Sequence, residues 1–161
     1  MLNHLCFAGL TGLALLLDAG NVLAQFGGRD TIFRADAQYP SDIDSADLDG
    51  DADMDILFIT YEDGRLAWFD NDGSGQFEDL HVISDSTVHG NNVEVGDLDG
   101  DGDNDILCGS IGLRLCWFEN EGGGSFGTHH AIDEEIPSSI ALGDLDGDGG
   151  LDAVVGGYPP M

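Results

Sequence analysis

The apolar residues of this chain fall in short runs separated by polar punctuation. Ile56-Leu57-Phe58-Ile59 and Leu66-Ala67-Trp68-Phe69 are each flanked by clusters of Gly, Asp and Asn. Short apolar runs bounded by turn-forming residues are the signature of strands joined by tight turns. The pattern predicts an all-β chain in which each apolar run is a strand and each Gly/Asp/Asn cluster a turn or loop.

The pattern also repeats. Asp47-Leu48-Asp49-Gly50-Asp51-Ala52-Asp53-Met54-Asp55-Ile56-Leu57 returns as Asp97-Leu98-Asp99-Gly100-Asp101-Gly102-Asp103-Asn104-Asp105-Ile106-Leu107. It returns once more as Asp144-Leu145-Asp146-Gly147-Asp148-Gly149-Gly150-Leu151-Asp152-Ala153-Val154, so the copies start 50 and 47 residues apart. A second element keeps step with the first: Trp68-Phe69-Asp70-Asn71-Asp72-Gly73-Ser74-Gly75-Gln76-Phe77 matches Trp117-Phe118-Glu119-Asn120-Glu121-Gly122-Gly123-Gly124-Ser125-Phe126. Each unit reads as strand, acidic loop, strand, hairpin, strand ending in Trp-Phe, Gly-rich turn and outer strand. Four short strands in roughly 45–50 residues is the size of a propeller blade. The expected fold is therefore a partial β-propeller of about two and a half four-stranded antiparallel blades. A closed propeller takes at least four blades, so the repeat region, residues 25–161, is expected to be truncated at its C-terminus.

The apolar stretch from Leu5 to Leu17 stands apart from the repeats. It falls short of the roughly 20 residues that a membrane-spanning helix needs, so no membrane span is expected. It has the form of a signal-peptide core, with Val22 and Ala24 placed for cleavage before Gln25 and with no Lys or Arg in the segment that precedes it. Residues 1–24 are read as a signal peptide, which makes the chain secreted and its compartment oxidising. Cys6 would leave with that segment. Cys108 and Cys116 lie on two apolar runs joined by a short turn around Ile111-Gly112-Leu113, and are read either as a hairpin disulfide or as two small core residues.

Charge narrows the partners. The chain has 32 acidic residues against four arginines, Arg29, Arg34, Arg65 and Arg114, with no lysine, for a formal net charge of −28. Nucleic acid and anionic membrane both require clustered cations to neutralise phosphate, so neither is an expected partner. Charge of this size can mark a disordered tail, but 42% of the residues are hydrophobic and arranged as strands.

The acidic loops at 47–55, 97–105 and 144–152 carry the candidate chemistry. A hard cation such as calcium takes six to eight oxygen ligands, and a tight loop presents them when carboxylates alternate with small residues. Side-chain oxygens are expected from Asp47, Asp49, Asp51 and Asp55, from Asp97, Asp99, Asp101 and Asp105, and from Asp144, Asp146, Asp148 and Asp152. Backbone carbonyls are expected from Asp53, Asp103 and Gly150. Up to three calcium ions would be held in this way. The first loop has Ala52 where glycine would turn most easily. An EF-hand shares the opening alternation but ends on a helical bidentate glutamate at position 12, where this chain has Phe58, Cys108 and Val155. Plain Asp-Gly hairpin turns are the competing reading, and three matching copies weigh against it.

The loops followed by Asp-Ile-Leu or Asp-Ala-Val, together with the Trp-Phe-x-Asn-x-Gly-x-Gly-x-Phe element, resemble the FG-GAP/VCBS repeat family, the blade type also found in integrin α-subunit propellers. The resemblance covers nearly all of the chain after residue 24. It implies a β-propeller, extracellular placement and calcium bound by the aspartates named above. Propellers host many activities, so it does not imply one function. The expectation is a secreted calcium-binding module for adhesion or recognition of a protein or glycan partner. The alternative is the propeller portion of an extracellular carbohydrate-active enzyme, a hydrolase or lyase whose catalytic part lies elsewhere.

No catalytic residue is expected. His81, His89, His129 and His130 have no convergent partners by spacing and are read as solvated or edge-strand residues. Ser84-Asp85-Ser86 and Ser138-Ser139 lack the glycine pattern of a nucleophile elbow. Trp68 and Trp117 occupy equivalent places in successive repeats and are read as blade-packing residues before sugar-stacking ones.

Overall fold

Short apolar runs bounded by turn residues build ten strands in the computed structural model, which describes residues 39–158. They are β1 (Pro40–Ala46), β2 (Asp55–Thr60), β3 (Leu66–Asn71), β4 (Phe77–Ser84), β5 (Asn92–Gly96), β6 (Asp105–Ser110), β7 (Arg114–Phe118), β8 (His130–Asp133), β9 (Ile136–Gly143) and β10 (Asp152–Tyr158). The strands form two four-stranded sheets, ordered β1-β2-β3-β4 and β5-β6-β7-β8, and a two-stranded sheet of β9 and β10. Every pairing is antiparallel and joins neighbours in sequence. These are two complete blades and the first two strands of a third, as the repeat spacing predicts. The signal-peptide expectation at 1–24 lies outside the described residues.

Period-2 alternation assigns each strand two faces, and the blades pack through them. In the first blade Leu57, Ile59, Leu66 and Trp68 enter one core cluster with Ile106, Cys108, Cys116 and Phe118 of the second. The opposite face of the second blade, carrying Leu107, Leu115 and Trp117, packs on Ile140, Leu142 and Val155 of the third sheet. Burying a side chain of this size is worth about 1.5–3 kcal/mol, so the interfaces between sheets are where the apolar runs stabilise the fold.

Polar bonds fix the sheets at their first strands. Asp42 Oδ2 accepts from the Val93 N–H at 3.0 Å and Asp44 Oδ2 from the Val95 N–H at 3.1 Å, tying β1 to β5. Ser41 Oγ donates to the Gly90 carbonyl at 2.6 Å. Asn91 Nδ2 donates to the Pro137 carbonyl at 2.8 Å and ties the second blade to the third sheet. The Gly-rich turn of the second blade closes against the first. At Gly124, φ is +69° and an added Cβ would lie 2.6 Å from Trp68 Cζ2, so only glycine lets the turn approach so near.

Candidate metal centres in the acidic loops

Each acidic loop is folded by its own carboxylates. Asp47 Oδ1 accepts from the N–H groups of Gly50 at 2.8 Å and Asp51 at 3.1 Å, while Oδ2 accepts from Ala52 at 2.9 Å. Asp97 holds Gly100, Asp101 and Gly102 in the same way, at 2.7, 3.1 and 3.1 Å. Asp144 holds Gly147 at 2.7 Å and Gly149 at 3.1 Å. Asp49, Asp99 and Asp146 each accept from the N–H two residues on, at 3.2, 3.1 and 3.1 Å. Short polar side chains that accept from their own nearby backbone are a standard device for holding tight loops.

The ninth position anchors the loop in the sheet. Asp55 is fully buried at the start of β2, where Oδ2 accepts from Leu48 at 2.8 Å and Oδ1 from Asn71 at 3.0 Å. Asp105 repeats the arrangement with Leu98 and Asn120, both at 2.9 Å. Asp152 accepts from Leu145 at 3.0 Å. The asparagine of the Trp-Phe-x-Asn element thus caps the loop of its own blade.

Three loop aspartates converge in each copy. Oxygens of Asp47, Asp49 and Asp55 lie within 4.8 Å of one another, as do those of Asp97, Asp99 and Asp105, and of Asp144, Asp146 and Asp152. Asp51 joins a further group with Asp49 and Asp70, also within 4.8 Å. Asp101 Oδ1 and Asp148 Oδ1 accept from Asp103 at 2.9 Å and Gly150 at 2.8 Å, and Asp51 Oδ1 does the same for Asp53 at 2.9 Å. The Asp53 carboxylate lies against the Gly73 turn and that of Asp103 near Gly122.

The donor set fits a hard divalent cation. Every converging group is a carboxylate, and Oδ2 of Asp47 and Asp97, like Oδ1 of Asp49 and Asp99, accepts a single N–H and keeps a second lone pair. The loops at 47–55, 97–105 and 144–152 contain no Lys, Arg or His to balance them. Three of the carboxyls, Asp49, Asp55 and Asp105, accordingly resist ionisation. Burial pushes Asp55 above its ordinary value, with Asp49 and Asp70 adding to the rise and the Asn71 and Leu48 N–H bonds opposing it. Burial likewise raises Asp105, with Asp99 and Asp101 adding to the effect against the N–H bonds from Asn120 and Leu98. Asp49 is raised by burial first, then by Asp51, Asp70 and Asp47, against the N–H bond from Asp51. A bound cation would reverse this penalty, because an opposite charge favours the ionised form.

Three features of the site were absent from the reading of the loops themselves. Asp70 lies in the Trp-Phe element and reaches Asp49 and Asp51 only because β3 runs beside β2. Asn104 Nδ2 donates to the Asp47 carbonyl at 2.9 Å, from one blade's loop to the previous one. Asn120 is buried, and its Nδ2 donates to the Leu48 carbonyl at 2.8 Å and the Asn104 carbonyl at 3.1 Å. The repeated asparagine in Trp-Phe-x-Asn was the available signal for the last.

The histidines at edge strands have a packing role. His81 stacks on Trp68 with ring centroids 4.3 Å apart, and His130 on Trp117 at 4.8 Å. These pairs sit directly across β3–β4 and β7–β8, where cross-strand neighbours meet. Trp68 is buried in the core between blades, as a blade-packing residue should be. Among the described residues no helix is long and apolar enough to cross a membrane.

No relative matched the chain among curated proteins. The sequence matches the FG-GAP-like repeat over residues 47–108 and again over 97–155, each match running from one acidic loop into the strand that follows the next. Repeat boundaries, blade topology and loop chemistry agree, and the chain belongs to the FG-GAP-like repeat family.

Proposed function

We propose that this chain is a secreted, calcium-dependent binding module that presents a protein- or glycan-recognition surface from propeller-type blades. The single observation that carries the reading is the recurrence of one carboxylate cluster, first, third and ninth aspartate, in three successive loops. The same three carboxylates lie within 4.8 Å of one another each time, with no basic residue in the loop to offset their charge.

Asp47, Asp49 and Asp55, with their counterparts in the other two loops, would hold the ions, and Asp51 and Asp70 would extend the first site. Calcium would supply positive charge to carboxylates that otherwise repel one another. The protein's part is to shape the loop around Asp47, Asp97 and Asp144 and to transmit its position. Because Asn104 and Asn120 bond the backbone of the first loop, order in that loop is passed to the second blade. The role of the metal is then structural, and recognition falls to surfaces that the ordered blades present.

Arrayed glycans and extracellular proteins probed with the chain, in calcium and in EDTA, test the binding role. Retention that depends on calcium is expected. Retention unchanged by EDTA, or none in either condition, contradicts it.

A further inference from the structure

Cys108 on β6 and Cys116 on β7 are direct partners in the ladder of the second blade. Both are fully buried, and their Sγ atoms stand 3.2 Å apart as free thiols. The hairpin between them is held in register, with the Leu113 N–H donating to Ser110 Oγ at 2.8 Å. A disulfide bond is about 2.05 Å long, so closing this gap takes roughly 1 Å of movement between side chains that already face each other.

The equivalent ladder position of the first blade shows that the fold does not require thiols here. Phe58 faces Ala67 across β2–β3 and fills the place with one large and one small side chain. The second blade uses two sulfurs instead, packed in the core with Leu57, Ile59, Leu66 and Val93.

We infer that Cys108 and Cys116 form a reversible cross-strand disulfide, which locks the β6–β7 hairpin at the interface between the first two blades. The step consumes a disulfide of another molecule, a small thiol compound or an oxidoreductase. One cysteine thiolate attacks that disulfide and expels one thiolate, leaving that cysteine in a mixed disulfide. The other cysteine thiolate then attacks the Sγ of the first, forming the intramolecular bond and expelling the second thiolate. Two cysteine thiols are oxidised, one external disulfide is reduced to two thiols, and the two cysteine protons pass to them.

The two thiols share one hydrogen bond in which either sulfur can donate, so either thiolate can attack first. Because the pair is buried, exchange requires the hairpin to open or precedes packing of the two blades. The inference is independent of the metal sites and of the recognition role.

Peptide mapping tests it on the full chain. The protein is equilibrated in glutathione buffers of increasing disulfide content, quenched in acid, alkylated under denaturing conditions and cut with trypsin. With no lysine and with arginines at 29, 34, 65 and 114, cleavage places Cys6, Cys108 and Cys116 in separate peptides, 1–29, 66–114 and 115–161. The expected product is 66–114 joined to 115–161, 2 Da lighter than the two free-thiol peptides together and separated by reductant. Alkylation of both cysteines at the most oxidising poise overturns the inference. So does glutathione retained on either cysteine, or a link from either peptide to 1–29.

Discussion

At the sixth position of each acidic loop the backbone turns left-handed, with φ of 76° at Ala52, 101° at Gly102 and 95° at Gly149. An L-residue with a Cβ is strained there by about 1–2 kcal/mol relative to glycine, partly offset by the greater freedom glycine gives the unfolded chain. Ala52→Gly is therefore expected to stabilise the protein by about 0.5–1 kcal/mol, read by urea denaturation in EDTA. The strain was legible in the sequence, because the other two loops carry glycine at that place.

Glu94 shows a different residue-scale effect. Burial raises its carboxyl above 4.5, and Asp44 and Asp42 across the first strands add to the rise. The folded state thus binds this proton more tightly than the unfolded one, so Glu94 favours folding below pH 4.5 and loses that contribution as pH climbs through its folded value. Glu94→Gln is expected to raise the melting temperature at pH 7, with a smaller gain near pH 4. Equal shifts at both pH values would show that the charge is not the cause. Nothing about Glu94 alone signalled this, since its acidic neighbours come from a strand some fifty positions earlier.

Among elements, the strands and their order could be read from the chain because short apolar runs and tight turns are local properties. Apolar runs such as Ile56 to Ile59 and Leu66 to Phe69 became β2 and β3 with few boundary differences. The contacts that join blades could not be read in this way, because partners such as Asn120 and Leu48 are 72 positions apart. Asn120 and Asn71 occupy the same repeat position, yet their side chains differ in surroundings. Asn120 Nδ2 makes two bonds and is buried, one of them to the neighbouring blade, whereas Asn71 Nδ2 makes one exposed bond to Met54 within its own blade. Removing buried partners leaves carbonyls unsatisfied, so Asn120→Ala is expected to cost about 2–3 kcal/mol and Asn71→Ala about 0.5–1 kcal/mol. Chemical denaturation of the two variants side by side measures the difference. Equal losses would mean that the link between blades contributes little.

For the whole molecule, the same carboxylate logic is repeated in three successive loops, and asparagines of the second blade couple it to the first loop. The clustering of the first, third and ninth aspartates agrees with the spacing in the sequence. The inclusion of Asp70 does not follow from spacing, because it depends on how β3 lies beside β2. A chain with 32 acidic residues against four arginines pays for compactness in charge repulsion, and a cation that binds only the folded loops stabilises it by mass action.

Calcium titration by calorimetry, with circular dichroism followed in parallel, tests this most directly. The account predicts saturation near three ions per chain with a gain of β signal that EDTA reverses, and the loss of one ion when Asp97 and Asp99 are both replaced by Asn. Absence of binding, or a stoichiometry untouched by those replacements, would contradict it and reduce the loops to acidic turns.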